Sequence, residues 1–324
     1  MTRNKTAATA APAGVRSARM SICLVIGFAA AWAVLEEVLG SKFEGRYDLL
    51  QVVWCRYAVH LAILLAIWGW REPAVLWRTR RPVFQLARSL LMFVMPFSFV
   101  LSLSAGTPAA SVWAVFWFSP LFVLAFARTV LRERIPPIVW AATGLGTLCA
   151  LVMLGPTLPS TGTGWVFALL MALSFSGYLV MTRSLRLEPL QANLFYTAFG
   201  VLVVLSPFVL RVWTPPSAHD ALVFFGIGSV GLLALLALDR AMANAPVSVS
   251  APALHLQVVF VLLIGHYGGG ERFSPSLALA ALVVVALVGY LFANAGRVAA
   301  GVAASDETSV LPVADAAPSM YVRK

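Results

Sequence analysis

The chain alternates between long apolar runs and short polar breaks. Ten runs are about twenty residues long, the length that an α-helix needs to cross the hydrocarbon core of a bilayer. A helix is predicted for each run, because backbone groups inside a bilayer must bond within their own segment. The predicted helices cover residues 20–40, 51–70, 82–104, 108–127, 137–155, 164–182, 190–210, 219–238, 246–267 and 274–296. This pattern predicts an all-α integral membrane protein with ten transmembrane helices.

The composition leads to the same class of protein. Of the 324 residues, 60% are hydrophobic and 11% are charged, whereas soluble domains carry about 25% charged residues. The flanking segments 1–19 and 298–324 are rich in Ala, Pro and Ser and are predicted to be disordered tails. The three cysteines show no spacing typical of a metal site, so no metal or cofactor is predicted.

The net charge of +10 does not indicate nucleic-acid binding, because the basic residues lie in the breaks between apolar runs. In that position they act as topology signals. With the N-terminus inside, the inside breaks and tails hold 17 Lys and Arg residues, and the outside loops hold four. The sequence therefore predicts a multi-pass protein of the plasma (inner) membrane with both termini in the cytoplasm.

An internal repeat divides the chain into two halves. Residues 104–137 align without gaps with residues 242–275, which lie 138 positions later, and eight of the 34 aligned positions are identical. The matches include Pro108 with Pro246. Five helices in each half make the second half enter the membrane in the opposite sense. We predict inverted repeats over residues 20–155 and 156–297, an architecture of secondary transporters.

The sequence resembles the EamA family of the drug/metabolite transporter superfamily over residues 20–297. The resemblance rests on the paired five-helix halves, Arg56 inside the second helix, the stretch TPAASVWAVFWFSPLFVLAFARTVLRERI and the following GLG at 144–146. The second half lacks an equivalent of GLG in its last helix. The resemblance implies a central substrate pathway lined by both halves, which works by alternating access. It leaves the substrate open.

Two glutamates occupy matching positions in the repeat. Glu133 and Glu271 each precede a proline-marked helix start, where a carboxylate complements the positive end of a helix dipole. The predicted topology puts them on opposite faces of the membrane, which excludes a joint ion-binding dyad. Both are therefore interpreted as structural residues at the starts of the fifth and tenth helices.

Ionisable groups inside the predicted spans are candidates for transport, because burying charge in a bilayer is costly. Glu36, Glu37 and Arg56 are predicted at similar depths, as a substrate-binding or proton-coupling group, as a structural ion pair, or as glutamates that reach back to the interface. Arg88 is predicted either to meet a substrate anion or to reach the headgroups. Asp239 and Arg240 are predicted to form an exposed pair at a helix end.

The remaining candidates lie near the middle of their helices. The repeat aligns His255 with Trp117 and Gln257 with Ser119, so both halves bring polar or aromatic groups to the same depth. Such groups suit substrate contacts, but a lone histidine can also bond a neighbouring helix, and a tryptophan can face lipid. Further candidates for substrate contacts are Trp113, Trp32 and Tyr178.

The function predicted from these features is secondary transport of small organic metabolites or drugs. A proton gradient and exchange both remain open as driving forces, and the chain contains no Walker motif. A membrane-embedded lipid-modifying enzyme and a non-transporting sensor or assembly subunit are the alternatives. The four histidines are dispersed and no HExxH motif occurs, which argues against the enzyme alternative. The predicted partners are a small solute and membrane lipids, as a monomer or homodimer.

Overall fold

The computed structural model describes residues 7–40, 43, 45–155, 162–270 and 274–303. Within these ranges, ten helices are long and apolar enough to cross a membrane, which confirms the predicted architecture. They are α1 (Gly14–Leu39), α2 (Leu49–Gly69), α3 (Pro82–Ser104), α4 (Ala109–Thr129), α5 (Pro137–Leu154), α6 (Gly162–Ser184), α7 (Leu190–Val209), α8 (Ala218–Asn244), α9 (Val247–Gly268) and α10 (Pro275–Ala293).

Local sequence explains where several helices begin and end. Helices α3, α5 and α10 begin at Pro82, Pro137 and Pro275, and proline suits the first turn because it has no N–H to leave unpaired. Helix α2 is capped by Asp48, whose carboxylate accepts a hydrogen bond from a backbone N–H at 2.8 Å. Helix α5 ends at Gly155, which adopts the left-handed conformation at φ 54°.

Both terminal boundaries differ from the prediction of disorder. The first helix begins at Ala7, ahead of the membrane span, and a further helix covers Ala295–Ala303. This last helix packs against α1, where Gly296 leaves room for Val15. Its buried face explains why it is ordered: Ala295, Val298 and Val302 are almost fully enclosed. The rest of the predicted tails, 1–6 and 304–324, lies outside the described residues.

The helix contacts are those expected for two related five-helix units. Helix α1 packs against α8 and α9, and α6 packs in the same way against α3 and α4. Helix α2 packs on α7, and α5 packs on α10. Exchanging the first unit for the second reproduces this set of contacts. The odd number of helices in each unit makes the repeat inverted.

Helices α4 and α9 are both interrupted at equivalent positions. Helix α4 consists of Ala109–Phe116 and Ser119–Thr129, with Trp117 closing the first piece. Helix α9 contains a 3₁₀ segment, Ala251–His255, before it continues as Leu256–Gly269. The two interruptions are 138 residues apart, the period found in the sequence.

Prolines accompany both interruptions. Pro120 follows the break in α4, and Pro252 lies in the 3₁₀ segment of α9. A proline removes a backbone donor and disfavours continuous α-helix. Pro96 and Pro207, by contrast, lie within continuous helices, α3 and α7.

Two helices also end in π-helical turns. Helix α1 changes to π-helix over Val34–Gly40, and α2 does so over Leu65–Gly69. Single π-helical turns are frequent at functional sites, since they turn side chains away from their regular α-helical directions. The π-helical turn of α1 carries Glu36 and Glu37.

Candidate functional site

A cavity of about 480 Å³ lies between α1, α2, α3 and α4. It reaches the connection between α1 and α2, because Phe43, Gly45 and Tyr47 contribute to its wall. The polar and aromatic residues of its lining that bear on its chemistry are Trp32, Glu36, Glu37, Arg56, Phe99 and Trp113. Pockets that take small organic ligands have volumes of roughly 300–1,000 Å³, so this cavity is large enough for a metabolite.

Glu36 is fixed in the cavity wall from two helices. Its Oε1 accepts a hydrogen bond from Nε1 of Trp32, one turn earlier in α1. Its Oε2 accepts a hydrogen bond from Nε2 of Gln257 in α9, at 3.0 Å. The two repeats therefore meet at this carboxylate, since α1 and α9 belong to different halves. Glu37, the next residue, lines the same cavity.

Arg56 brings a buried guanidinium to the same cavity. Its side chain is 8% exposed, and its Cζ lies 5.5 Å from the ring centroid of Trp32 and 4.9 Å from that of Tyr57. Gly231 in α8 provides space for its stem, because an added Cβ there would lie 3.0 Å from Cδ of Arg56. Nε of Arg56 has no hydrogen-bond partner among the described residues.

Among the described residues, Arg56 forms no ion pair with a glutamate. The ion pairs in the described part of the chain are Arg46–Asp220 and Arg88–Asp239. Arg56 and Glu36 instead contact opposite parts of one indole, because the guanidinium lies over the Trp32 ring and the carboxylate accepts from its N–H. The groups predicted at similar depths are thus brought to one cavity.

Aromatic side chains form the opposite wall. The rings of Phe99 in α3 and Trp113 in α4 lie 5.3 Å apart between centroids. Both line the cavity, together with Pro96 inside α3. An aromatic wall across from a carboxylate and a guanidinium suits a ligand that carries both an apolar or aromatic body and charged groups.

A polar cluster holds the loop at the α1–α2 end of the cavity. Asp220, at the start of α8, accepts hydrogen bonds from Arg46 at 2.6 Å and from the Tyr47 hydroxyl at 2.9 Å. Ser217 also donates to this carboxylate, at 2.8 Å. Burial and the hydrogen bond to Asp220 raise the pKa of Tyr47 above its ordinary value. Sequence analysis assigned no role to Asp220, because Arg46 and Tyr47 lie more than 170 residues away along the chain.

A second polar cluster lies at the other end of the bundle, where α2 joins α3 and α6 joins α7. We call this end the basic end, since Arg78, Arg81 and Arg183 lie there. At its centre Arg88 forms an ion pair with Asp239 at 3.5 Å, with Arg88 fully buried. The cluster joins α3, α6, α7 and α8.

Arg88 makes a nearly complete set of hydrogen bonds in this cluster. It donates to the backbone oxygen of Asn193 at 2.5 Å and to the hydroxyls of Thr182 and Thr197, each at 3.0 Å. Its guanidinium lies 5.1 Å from the ring centroid of Tyr178. Arg88 and Tyr178, two predicted substrate contacts, thus contact each other here and are not among the described residues that line the cavity.

Asp239 corrects an expectation from the sequence. It was predicted to form an exposed pair with Arg240 at a helix end, but it is 5% exposed and contacts Arg88 and Asn193 instead. Arg240 remains exposed. The physical reason is that α8 extends to Asn244, so Asp239 lies more than a turn inside the helix. The signal in the sequence was the presence of polar residues in or directly after four apolar runs, namely Arg88, Thr182, Asn193 and Asp239.

Trp117 and His255 meet in the middle of the bundle. Their ring centroids are 5.8 Å apart. His255 is 1% exposed and lies 3.2 Å from both the Thr147 hydroxyl and the Pro252 carbonyl oxygen. These contacts place the pair between α4, α5 and α9, and neither residue is among those that line the cavity. Substrate binding by this pair stays a prediction.

Ser119 and Gln257, which the repeat aligns with each other, have different surroundings in the structure. Ser119 is fully buried, and its backbone oxygen accepts a hydrogen bond from Ser176 in α6 at 3.0 Å. Gln257 bonds Glu36 and therefore borders the cavity indirectly. Of the predicted substrate contacts, Trp32 and Trp113 lie directly in its wall.

Glu133 has a structural role, but at a different helix from the one predicted. Its carboxylate accepts hydrogen bonds from the backbone N–H groups of Val247 and Ser248, at 3.1 and 3.2 Å, and from the Ser248 hydroxyl at 2.6 Å. It thus caps the start of α9 instead of α5. The left-handed conformation of Arg132, at φ 58°, precedes it in the α4–α5 connection. Glu271 lies outside the described residues.

Comparisons with known proteins agree with this architecture. The S-adenosylmethionine uptake transporter of Rickettsia prowazekii is 24% identical over 78% of this chain and 85% of its own length. The protein of the same name from Rickettsia felis is 26% identical over 76% of this chain and 83% of its own length. A riboflavin transporter from Rhizobium johnstonii is 38% identical, but over only 25% of this chain and 28% of its own length.

The fold is also similar to that of a crystal structure, with a TM-score of 0.70 and 22% identity over 84% of this chain and 96% of the other. The sequence profile of the EamA-like transporter family matches twice, over residues 19–155 and 162–294. The two matches follow the two five-helix halves and together cover most of the chain. The protein therefore belongs to the EamA-like transporter family.

Proposed function

We propose that the protein is a secondary transporter that moves a small organic metabolite through the cavity between α1, α2, α3 and α4. The observation that carries this proposal is the placement of Arg56, Glu36 and two tryptophans around one cavity of about 480 Å³. Charged groups inside a membrane bundle mark substrate and ion pathways. The size and mixed polarity of the cavity fit a metabolite better than a bare ion.

Alternating access is supported by the difference between the two ends of the bundle. The cavity reaches the α1–α2 connection, whereas the basic end is filled by the Arg88–Asp239 cluster. In the proposed cycle the cluster separates when the cavity closes, so that the substrate leaves at the basic end. The interruptions in α4 and α9 supply places at which each half can bend.

The orientation follows from the distribution of arginines. Arg78, Arg81, Arg128 and Arg183 lie at the basic end, and we propose that this end faces the cytoplasm. The cavity then opens toward the outside. Both termini would lie in the cytoplasm, and a proton gradient or exchange would drive the movement.

S-adenosylmethionine is the proposed substrate. Two relatives that match most of this chain are named as its uptake transporters, and the cavity suits its chemistry. The adenine ring can stack on Trp113 or Phe99, the carboxylate can meet Arg56, and the sulfonium can lie near Glu36 and Trp32. Riboflavin fits less well, because its isoalloxazine and ribityl groups carry no charge to pair with Arg56 or Glu36.

The test is uptake of radiolabelled S-adenosylmethionine by proteoliposomes that contain the purified protein. We expect saturable uptake that falls roughly 5–100-fold in Trp113→Ala, because an aromatic contact to a base contributes roughly 1–3 kcal/mol. Uptake should also fall in Trp32→Ala, because the sulfonium loses its aromatic face. Trp165→Ala is the matched control, since Trp165 is 42% exposed and lies outside the cavity. Equal uptake by empty liposomes would refute the proposed substrate.

Two further readouts separate transport modes and the enzyme alternative. Preloading the vesicles with unlabelled S-adenosylmethionine should accelerate uptake if the protein exchanges substrate, whereas an imposed pH gradient should do so if protons drive it. Mass spectrometry of the vesicle contents should recover the intact compound. Recovery of a modified lipid or a cleaved product would favour a membrane enzyme instead.

A further inference from the structure

We infer that Arg56 and Glu36 are the two specificity-determining residues of the cavity, with Arg56 binding the substrate carboxylate and Glu36 its sulfonium. The substrate is then recognised as a zwitterion held at two fixed points. This inference rests on the proposed function, because it assigns the polarity of binding within the same cavity.

The assignment of Arg56 follows from a missing anion. Arg56 as a whole residue is 8% exposed, and its guanidinium lies over the aromatic faces of Trp32 and Tyr57. Nε has no hydrogen-bond partner and no described carboxylate forms an ion pair with it. Nε of Arg88 also lacks a hydrogen-bond partner, so the contrast lies in the rest of the group: Arg88 has an ion-pair partner and four hydrogen-bond acceptors. A buried guanidinium favours a planar anion that accepts two parallel hydrogen bonds, as a carboxylate does.

The assignment of Glu36 follows from its position beside Trp32. Its oxygens accept one hydrogen bond each, from Trp32 and from Gln257, which fixes the carboxylate in the cavity wall. An ionised carboxylate there attracts a cation whether or not that cation donates a hydrogen bond. A sulfonium has no hydrogen to donate and is attracted by both a carboxylate and an aromatic face, which Glu36 and Trp32 supply together.

Trp32 determines how far apart the Arg56 guanidinium and the Glu36 carboxylate lie. Its ring lies beneath the Arg56 guanidinium, and its N–H points to Glu36. The anion-binding and cation-binding groups are therefore held on either side of one indole. A ligand that fills both must carry its opposite charges on separate atoms within one flexible chain, as the methionine part of S-adenosylmethionine does.

The described lining also presents both signs of charge to a ligand. Its charged side chains, among the residues that the structure describes, are Arg56, Glu36 and Glu37. S-adenosylmethionine carries a carboxylate, an ammonium and a sulfonium, so it can present a group of opposite sign to each kind of side chain.

The experiment compares three ligands on the full-length protein in detergent micelles by equilibrium binding. S-adenosylmethionine carries both poles, decarboxylated S-adenosylmethionine lacks the carboxylate, and S-adenosylhomocysteine lacks the sulfonium. We expect Arg56→Gln to weaken the first and third ligands by roughly 10–100-fold and to leave the second within about twofold. Glu36→Gln should weaken the first and second by a similar factor and leave the third nearly unchanged.

The pattern across ligands separates recognition from misfolding. A variant that folds poorly loses all three ligands together, so a selective loss cannot come from general damage. Arg56→Lys keeps the positive charge and should restore part of the affinity for S-adenosylmethionine. Should Arg56→Gln weaken all three equally while wild-type transport stands, the inference is wrong and the proposed function survives. Failure of the wild type to bind any of the three overturns both.

Discussion

Trp117 and His255 occupy the same position in the two halves of the chain, and their rings lie against each other with centroids 5.8 Å apart. Each residue also marks the interruption of its helix, α4 or α9. Two equivalent residues that touch must lie close to the axis that relates the halves. The axis that relates the halves therefore passes through buried side chains, and the cavity lies to one side of it, near Trp32 and Arg56.

Gly146 in α5 allows this contact to form. A Cβ added there would lie 2.7 Å from Nδ1 of His255. We expect Gly146→Ala to destabilise the protein by about 1–3 kcal/mol, because the added methyl group overpacks the site. Chemical unfolding of the purified protein in mixed micelles would measure the change.

Gly144→Ala is the matched control for this substitution. Gly144 is in the same helix with nothing within 4 Å of an added Cβ, so the change should be neutral or slightly stabilising. Removing the ring in the double variant Gly146→Ala with His255→Ala should relieve the clash. A full additive loss in the double variant would contradict the proposed contact.

The Arg88–Asp239 ion pair predicts strong coupling between its partners. Asp239→Leu leaves Arg88 buried without its counter-ion, and breaking such a pair costs about 3–5 kcal/mol. The double variant Arg88→Met with Asp239→Leu should lose less free energy of unfolding than the two single variants lose together, by at least about 1 kcal/mol. Unfolding measurements on the four proteins give the coupling.

Arg240→Gln provides the control for this pair. Arg240 is adjacent in sequence but exposed, so its loss should change stability by no more than about 0.5 kcal/mol. Strict additivity between Arg88 and Asp239 would show that the two groups do not interact.

Glu133 is predicted to stabilise the start of α9. Glu133→Ala removes three hydrogen bonds to Val247 and Ser248 and should lower the free energy of unfolding by about 0.5–2 kcal/mol. Glu72→Ala, at an exposed position, should have a much smaller effect. Equal effects of the two substitutions on the unfolding midpoint would argue against the cap.

The raised pKa of Tyr47 leads us to expect that the protein loses stability at alkaline pH. Its pKa in the folded protein is raised above the ordinary value of 10.0, so its contribution is complete below pH 10 and declines as pH rises through the raised value. We expect Tyr47→Phe to be less stable than wild type at pH 8, and the difference should shrink by pH 11.

Comparing unfolding at these two pH values tests the prediction for Tyr47. Tyr267→Phe serves as the control, because Tyr267 is 82% exposed. A difference between Tyr47→Phe and wild type that stays constant from pH 8 to pH 11 would show that the hydroxyl does not titrate in this range.

The proposed orientation predicts which loops an impermeant reagent can reach. Leu187, between α6 and α7, is 90% exposed, and Leu210, after α7, is 80% exposed at the opposite end. In a background without native cysteines, Leu210→Cys should react with an impermeant maleimide in intact cells, and Leu187→Cys should react only after permeabilisation. The reverse pattern would invert the orientation of the cavity.

The hydrophobic pattern predicted the ten helices, and the 138-residue repeat predicted their division into inverted halves. This succeeded because the transfer of a segment into a bilayer depends on its own composition. The 138-residue period also aligned Trp117 with His255, although their contact came only with the structure. The sequence placed Arg56, Glu36 and Glu37 at similar depths, but it did not decide whether they form a structural ion pair.

What each polar side chain contacts depended on the tertiary structure. Arg88 and Arg56 look alike in the sequence, as single arginines within apolar helices. One is paired with Asp239 from a helix about 150 residues away, and the other lines the cavity without an ion-pair partner among the described residues.

The sequence by itself determined the membrane architecture, since helix formation and membrane insertion are local properties of each apolar segment. Only the tertiary structure decided that Gln257 bonds Glu36 across 221 residues and that Glu133 caps α9 instead of α5. The physical reason is that a polar group in a bundle bonds whichever partner the packing brings within about 3 Å. Sequence separation does not limit that choice.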